Sequence, residues 1–169
     1  MGSLKPPEPL TQEHGLDGFK CGQATLDEWL KRRAFKNELA GASRTFVVCD
    51  DNQQVIGYYT LATGAVARSD TPGSVRRNMP DPIPVMVLGR LAVDSQHQSK
   101  NIGRGLLIDA IRRTLIVSRH AGVRALLVHA LSEEAKAWYL KCGFRDSPLR
   151  PMTLMLPLSE VEMTEHSEV

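Results

Sequence analysis

The chain lacks most of the features that would classify it at a glance. No apolar run approaches the length of a membrane span. The N-terminus carries Pro6, Pro7 and Glu8 where a secretory signal needs an apolar core, so export is not expected. Only three cysteines are present, Cys21, Cys49 and Cys142. Their odd number and wide spacing exclude a disulfide framework and a zinc site, so no metal is expected. They suggest a reducing compartment, taken as the cytoplasm. There is no internal repeat and no low-complexity block. The net charge of +2 is too small to imply nucleic acid by itself.

What is present reads as an ordinary globular protein: 169 residues, 42% apolar and 24% charged, enough for one domain with a real core. The charge is unevenly spread. Lys31, Arg32, Arg33 and Lys36 fall together and Arg76-Arg77 form a second pair. Glu160, Glu162, Glu165 and Glu168 concentrate acidity at the C-terminus. Residues 1–15, with three prolines and Gly15, read as an irregular N-terminal segment, and Met1-Gly2-Ser3 is left out of the reading. Residues 16–158 form the expected domain, and 159–169 an acidic tail.

Periodicity and punctuation give the elements. Thr25 is read as an N-cap, and Gly41 as the stop, of one amphipathic helix of about four turns. Arg44 to Asp50 and Val55 to Val66 read as a hairpin, followed by a proline-rich connection with one helical turn near Val75 to Asn78. Val85 to Val93 is apolar on both faces and therefore a central strand. Gly103 to His120 is a helix with Leu106, Leu107, Ala110, Ile111 and Leu115 as its buried stripe. Arg124 to Ala130 is a strand, and Glu133 to Lys141 a helix capped by Ser132 and stopped by Gly143. Met152 to Leu158 is the last strand. Such alternation predicts an α/β fold.

The informative stretch lies between the central strand and the long helix. Leu91-Ala92-Val93-Asp94 is followed by Gln98-Ser99-Lys100-Asn101-Ile102-Gly103-Arg104-Gly105-Leu106. A glycine-bracketed loop entering a helix leaves amides unpaired beside the positive end of the helix dipole, a site for a phosphate. It is not a Walker loop, because no Gly-Lys-Ser/Thr follows. Nor is it a dinucleotide fingerprint, because it comes late and no acidic residue ends the next strand.

The motif Gln98-x-x-Asn101-x-Gly103-x-Gly105 resembles the acyl-CoA pyrophosphate loop of the GNAT N-acetyltransferases. The preceding Leu91-Ala92-Val93-Asp94 is similar to their splayed strand, and Ala135-x-x-x-Tyr139-x-x-x-Gly143-Phe144 to their final helix with its tyrosine. Asn101 departs from the family's usual glycine, and asparagine tolerates left-handed backbone angles better than other side chains. The resemblance implies a mixed, mostly antiparallel central sheet with flanking helices and a splayed central strand. It also implies acetyl-CoA as donor. Backbone groups of Leu91, Ala92 and Val93 would meet the pantetheine arm, and Gln98, Lys100, Asn101, Ile102, Gly103, Arg104, Gly105 and Leu106 would surround the pyrophosphate. Ser132 is read first as an N-cap and second as a contact to the arm. Tyr139 would be the general acid for the leaving thiolate. His129 is read as a satisfied core residue, His97 as solvated, and Cys142 as a buried structural thiol.

Within that family, Gly89-Arg90-Leu91-Ala92-Val93-Asp94, Val128-His129-Ala130-Leu131-Ser132-Glu133 and Ser147-Pro148-x-x-Pro151-Met152-x-Leu154-Met155 resemble the acetyltransferase toxins of bacterial toxin–antitoxin pairs, the TacT and AtaT group. Phe19-Lys20-Cys21-Gly22-x-x-x-Leu26-Asp27-x-Trp29-Leu30 is similar to their N-terminal region. This closer resemblance implies acetylation of the α-amino group of aminoacyl-tRNA and a block of translation. It also implies a ribbon–helix–helix antitoxin, contact with operator DNA only through the antitoxin complex, a homodimer, and no membrane association. Lys31, Arg32, Arg33, Lys36, Arg76, Arg77 and Arg90 would then meet tRNA phosphates. Two other readings stay open on sequence: acetylation of a small amine or protein N-terminus, and a non-catalytic acyl-CoA-binding regulatory module.

Overall fold

The protein is described from a computed structural model that covers residues 4–161. The expectations for residues 1–3 and for the acidic tail from 162 onward lie outside the described residues. The elements run β1 (Glu8–Pro9), α1 (Ala24–Arg32), α2 (Ala34–Ala40), β2 (Arg44–Cys49), β3 (Val55–Val66), α3 (Gly73–Arg76), β4 (Ile83–Val93), α4 (Ile102–Ser118), β5 (Ala125–His129), α5 (Glu133–Lys141), β6 (Arg145–Asp146) and β7 (Thr153–Pro157). The seven strands hydrogen-bond in the order β1-β2-β3-β4-β5-β7-β6. The β1–β2, β2–β3, β5–β7 and β6–β7 pairs are antiparallel, and β4–β5 is parallel. This is the mixed, mostly antiparallel sheet that the sequence implied, with β4 central. No helix among the described residues is long and apolar enough to cross a membrane. The chain divides into two compact units, Met1–Ala62 with Gly89–Ile111, and Thr63–Leu88 with Arg112–Val169.

In the first unit, the N-terminal segment is not wholly irregular: Glu8 and Pro9 pair with Val47 and Phe46 of β2. The single helix expected after Thr25 is two. The chain enters α1 from Gln23, whose carbonyl receives the amides of Leu26 and Asp27, so Thr25 lies inside the helix and caps nothing. Asp27 instead accepts the amide of Cys21 at 2.9 Å, which fixes the approach to the helix. Arg33, at φ −118° and ψ −31°, separates α1 from α2. In an unbroken helix each four-residue step turns the face by about 40°. That drift is small enough for Ala34, across the break, to continue the buried stripe of Leu26 and Leu30. These three pack with Leu10, Phe19, Val47, Val55, Tyr58 and Ala92. Gly41 ends α2 in the left-handed conformation, as expected. Gly57 in β3 sets the seat of α4: a Cβ there would stand 3.1 Å from Leu106 Cδ1 and 3.2 Å from Ile102 Cγ2. Glycine allows this close approach, and a Cβ would require the Leu106 and Ile102 side chains to give by a few tenths of an ångström. The Tyr59 hydroxyl adds a hydrogen bond to the Asp109 carboxylate farther along α4.

In the second unit, Val75, Ile83, Val85, Ala125, Leu127 and Met155 form the core. The Arg124 guanidinium ties α3 down, its Nε donating to the Val75 carbonyl at 2.9 Å and Nη2 to Ser74 at 3.2 Å. α5 begins as the sequence indicates, with Ser132 Oγ accepting the Ala135 amide at 3.0 Å, and Gly143 follows it at φ 97°. The two-residue strand β6 has no counterpart in the sequence reading. His129 is exposed at the end of β5, which corrects its placement in the core.

Candidate active site

The candidate residues divide between the two units, and each set is described by itself. In the first unit the key feature is the end of β4. The parallel ladder with β5 ends at Leu88↔Val128, while β4 continues to Val93. This is the splay that the motif implied. On the other side the Asp94 amide donates to the Ile56 carbonyl at 2.8 Å, so the strand end stays fixed to β3.

The loop after β4 is fastened by its side chains. Asp94 is buried, and its carboxylate accepts the amides of Lys20 and Gln96, each at 3.0 Å. Burial raises its proton affinity, but those two amides and His97 outweigh it and hold the carboxyl below the usual range. Ser95 adds bonds from its amide and hydroxyl to the Lys20 carbonyl. Gln98 Nε2 donates to the carbonyls of Val93 at 3.0 Å and Cys21 at 3.1 Å. The side-chain amide of Gln98 therefore holds the loop rather than facing a ligand. The Val93 carbonyl, expected to pair with the pantetheine arm, already accepts that bond.

Two left-handed residues, Ser99 at φ 67° and Asn101 at φ 61°, then turn the chain into α4. Asn101 thus takes the conformation that a glycine there would serve. The Gly105 amide donates to the Asn101 carbonyl at 3.1 Å, and this bond opens the helical ladder. The amides of Ile102, Gly103 and Arg104 have no acceptor among the described residues. The anion-facing set is therefore narrower than the stretch from Ile102 to Leu106 expected from sequence. Space accompanies these amides: a Cβ on Gly105 would meet nothing within 4 Å, and one on Gly103 only Val93 Cγ2 at 3.7 Å and Leu91 Cδ2 at 4.0 Å. Ile102 and Leu106 send their side chains into the core, as does Ala92, while Leu91 and Val93 are half-buried and Lys100 and Arg104 exposed. Free amides, open space at Gly105 and a strand end unpaired on its β5 side fit a pyrophosphate with an extended arm.

In the second unit, Tyr139 is buried between Trp138 and Phe144, with ring centroids 5.0 and 5.2 Å away. Burial, with the Cys142 thiol adding to it, pushes its phenol up to about 12. The group is therefore a donor at any physiological pH. The Ser132 hydroxyl is engaged as the α5 cap. His129 Nδ1 lies 3.0 Å from the Thr153 hydroxyl. Cys142 is half-buried, less enclosed than a core thiol.

The basic residues also fall in both units. Lys31, Arg32, Arg33 and Lys36 lie on or between α1 and α2, and Arg32 is paired with Glu28 at 2.8 Å. Arg90, half-buried, places its guanidinium 4.2 Å from the centre of the Trp29 ring. Arg76 and Arg77 are exposed in the second unit, Arg76 reaching the Thr71 carbonyl at 3.3 Å. Sequence reasoning missed the holding roles of Asp94 and Gln98 and the part played by Trp29, which it named in the segment similar to the family's N-terminal region. An Asp directly after an apolar strand was the available sign for the first. Nothing in the sequence linked Trp29 to Arg90.

One cluster lies apart. Glu8, His14 and Cys49 bring their ligand atoms within 4.8 Å of one another. The Thr11 amide donates to His14 Nδ1 at 2.9 Å, so Nε2 carries the ring proton and donates it to Glu8 at 2.7 Å. Burial, then the Glu8 and Asp50 carboxylates, push the Cys49 thiol up to about 11. His14 and Glu8 are thus bonded to each other within the N-terminal segment, and the three are not a set of open ligands.

Comparison with known proteins bears on this geometry. The chain is 44% identical over 160 residues to the tRNA-acetylating toxin of Mycobacterium tuberculosis, covering 95% of this chain and 96% of that protein. Among solved structures it is similar to AtaT complexed with acetyl-methionyl-tRNAfMet, with a TM-score of 0.89, 28% identity and coverage of 96% and 99% of the two chains. It is also similar to a mutant AtaT toxin bound to the C-terminus of the antitoxin AtaR and acetyl-CoA, with a TM-score of 0.82, 27% identity and coverage of 96% and 98%. Residues 42–146, which include the whole loop and Tyr139, match the acetyltransferase (GNAT) domain. The splayed β4, its loop and the tyrosine helix thus belong to one known design, and the chain is a member of the GNAT acetyltransferase family.

Proposed function

We propose that this protein is an acetyl-CoA-dependent N-acetyltransferase toxin that acetylates the α-amino group of aminoacyl-tRNA, blocks translation and is neutralised by a cognate antitoxin. The observation that carries the reading is the α4 entrance: three amides without acceptors, an open space at Gly105 and a strand end unpaired on its β5 side. They occur in a chain matched almost end to end by a tRNA-acetylating toxin. Ile102, Gly103 and Arg104 hold the pyrophosphate by their amides, with the helix dipole and the charges of Lys100 and Arg104 assisting. The edge of β4 that β5 leaves unpaired, from Leu91 to Val93, receives the arm as an added strand, the Val93 carbonyl being shared with Gln98. Bound acetyl-CoA supplies an activated acetyl group. The acceptor, a free α-amine with a reference pKa of about 7.7–8.0, is already partly neutral near pH 7 and needs no strong protein base. Tyr139, protonated throughout that range, donates to the departing sulfur.

Lys31, Arg33, Lys36, Arg76, Arg77 and Arg90 provide phosphate contacts for tRNA, and Arg32 joins them if it leaves Glu28. We further read the antitoxin as a ribbon–helix–helix protein through which operator DNA is engaged, the toxin as a homodimer, and the compartment as the cytoplasm. The decisive experiment incubates the protein with acetyl-CoA and bulk charged tRNA, then examines the released aminoacyl-adenosine by mass spectrometry. A mass increase of one acetyl group on a subset of aminoacyl-adenosines is expected and names the amino acid. Acetyl-CoA turnover on small amines with every aminoacyl-adenosine unmodified would overturn the reading.

A further inference from the structure

Arg90 sits past the last β5-paired residue of β4, half out of water, yet no carboxylate or carbonyl among the described residues engages its guanidinium. Burial lowers its proton affinity from the ordinary arginine value. A half-buried cation without an acid partner keeps its N–H donors for water or for a ligand. What the fold does supply is a flat support. The guanidinium lies 4.2 Å from the centre of Trp29, and Trp29 lies on Tyr58 with centroids 6.2 Å apart and planes 6° from parallel. Tyr58 is itself fixed, edge-on to Phe19 at 5.5 Å and donating its hydroxyl to the Leu26 carbonyl at 2.6 Å. The cation is thereby seated over the ring, and its N–H groups have no acceptor among the described residues.

We infer that Trp29 is a positioning residue that holds the Arg90 guanidinium as a preformed two-pronged donor for a backbone phosphate of the tRNA acceptor. The inference rests on the function proposed above and adds a residue to it. A planar fork donates two parallel hydrogen bonds to a phosphate, which a lysine ammonium cannot reproduce. Restricting the fork beforehand removes part of the ordering cost of binding. The neighbouring cations Lys31, Arg33 and Lys36 lie on or beside the helix that carries Trp29.

The test measures binding of bulk tRNA to the full chain across a salt series. Loss of one phosphate contact lowers the slope of log affinity against log salt by about 0.7–0.9. Arg90→Ala is expected to lower it by that amount, and Trp29→Leu, which changes no charge and retains apolar bulk, by most of the same amount. Trp29→Tyr, which keeps a ring, stays near wild type and serves as the control for folding. Arg90→Lys keeps the slope but weakens binding several-fold, and adding Trp29→Leu to Arg90→Ala changes nothing further. The KM for acetyl-CoA stays within about twofold in all of them. An unchanged slope in Trp29→Leu beside a steep wild-type slope overturns the inference alone. A raised KM for acetyl-CoA with an unchanged tRNA slope assigns the fork to the donor and also overturns it. A wild-type chain with no salt-dependent tRNA binding removes both this inference and the proposed acceptor.

Discussion

The loop that enters α4 and the helix that carries Tyr139 perform their parts by opposite means. At the loop the working groups are backbone amides, and the side chains Asp94, Ser95 and Gln98 serve to hold the backbone in place. At α5 the backbone is an ordinary capped helix, and one phenol carries the candidate chemistry. The loop should therefore tolerate changes of charge and resist changes of shape, while α5 should do the reverse at its key position.

The sharpest way to break this contrast is Tyr139→Phe. It preserves the ring packing against Trp138 and Phe144 and removes only the donor. Turnover on charged tRNA should fall by about 10²–10⁴, with the KM for acetyl-CoA unchanged. Because the phenol holds its proton to about pH 12, Tyr139 should place no alkaline limb on the wild-type rate profile below pH 11. A limb near the ordinary phenol range, absent from Tyr139→Phe, would contradict the burial argument. Gly105→Val tests the loop by shape. The free protein has room for the side chain, so thermal stability should change little. The KM for acetyl-CoA should rise by about 10–100-fold, equivalent to ~1.4–2.8 kcal/mol. A similar KM in both proteins would place the pyrophosphate elsewhere.

Asp94→Ala separates holding from binding. It frees the Lys20 and Gln96 amides and should reduce unfolding free energy by about 1–3 kcal/mol in a denaturant titration at neutral pH. The sign of the pH dependence follows from the lowered carboxyl pKa. The stabilisation is complete above the unfolded value of about 3.9 and is lost as the pH falls through the lower folded value. The gap between wild type and Asp94→Ala should narrow accordingly in acid. Asn101→Gly should have the smallest effect, shifting acetyl-CoA affinity by less than about threefold, since asparagine already adopts the left-handed angle.

The parts that were legible in the sequence are those with chemical punctuation. Ser132 and Gly143 bracket α5, the Asp-Asn turn marks the start of β3 at Val55, and the glycine-spaced run after Asp94 indicates the helix entrance. The break at Arg33 has no proline or glycine to announce it. The strands β1 and β6 span two residues each, too short for any alternation to register. His129 reads as core because the four residues before it are apolar, and the change to exposure comes only where β5 ends. The Arg90–Trp29 contact joins a strand to a helix far apart in the chain, and no local pattern encodes such a meeting. In the same way, Gln98 was recognised as a motif residue, but its inward orientation depends on the Cys21 carbonyl, which only the folded chain brings near.

The two-residue strand β1 has a consequence for how the protein behaves in a crowded cell. It lies along β2 and presents outward Glu8, a charge, and Pro9, which has no amide to offer. The opposite border of the sheet ends in Arg145 and Asp146, equally short and charged. Neither border gives an extended chain from another molecule much to pair with. A protein trimmed past Pro9 would uncover Phe46 and Val47 and, with them, a template for self-association.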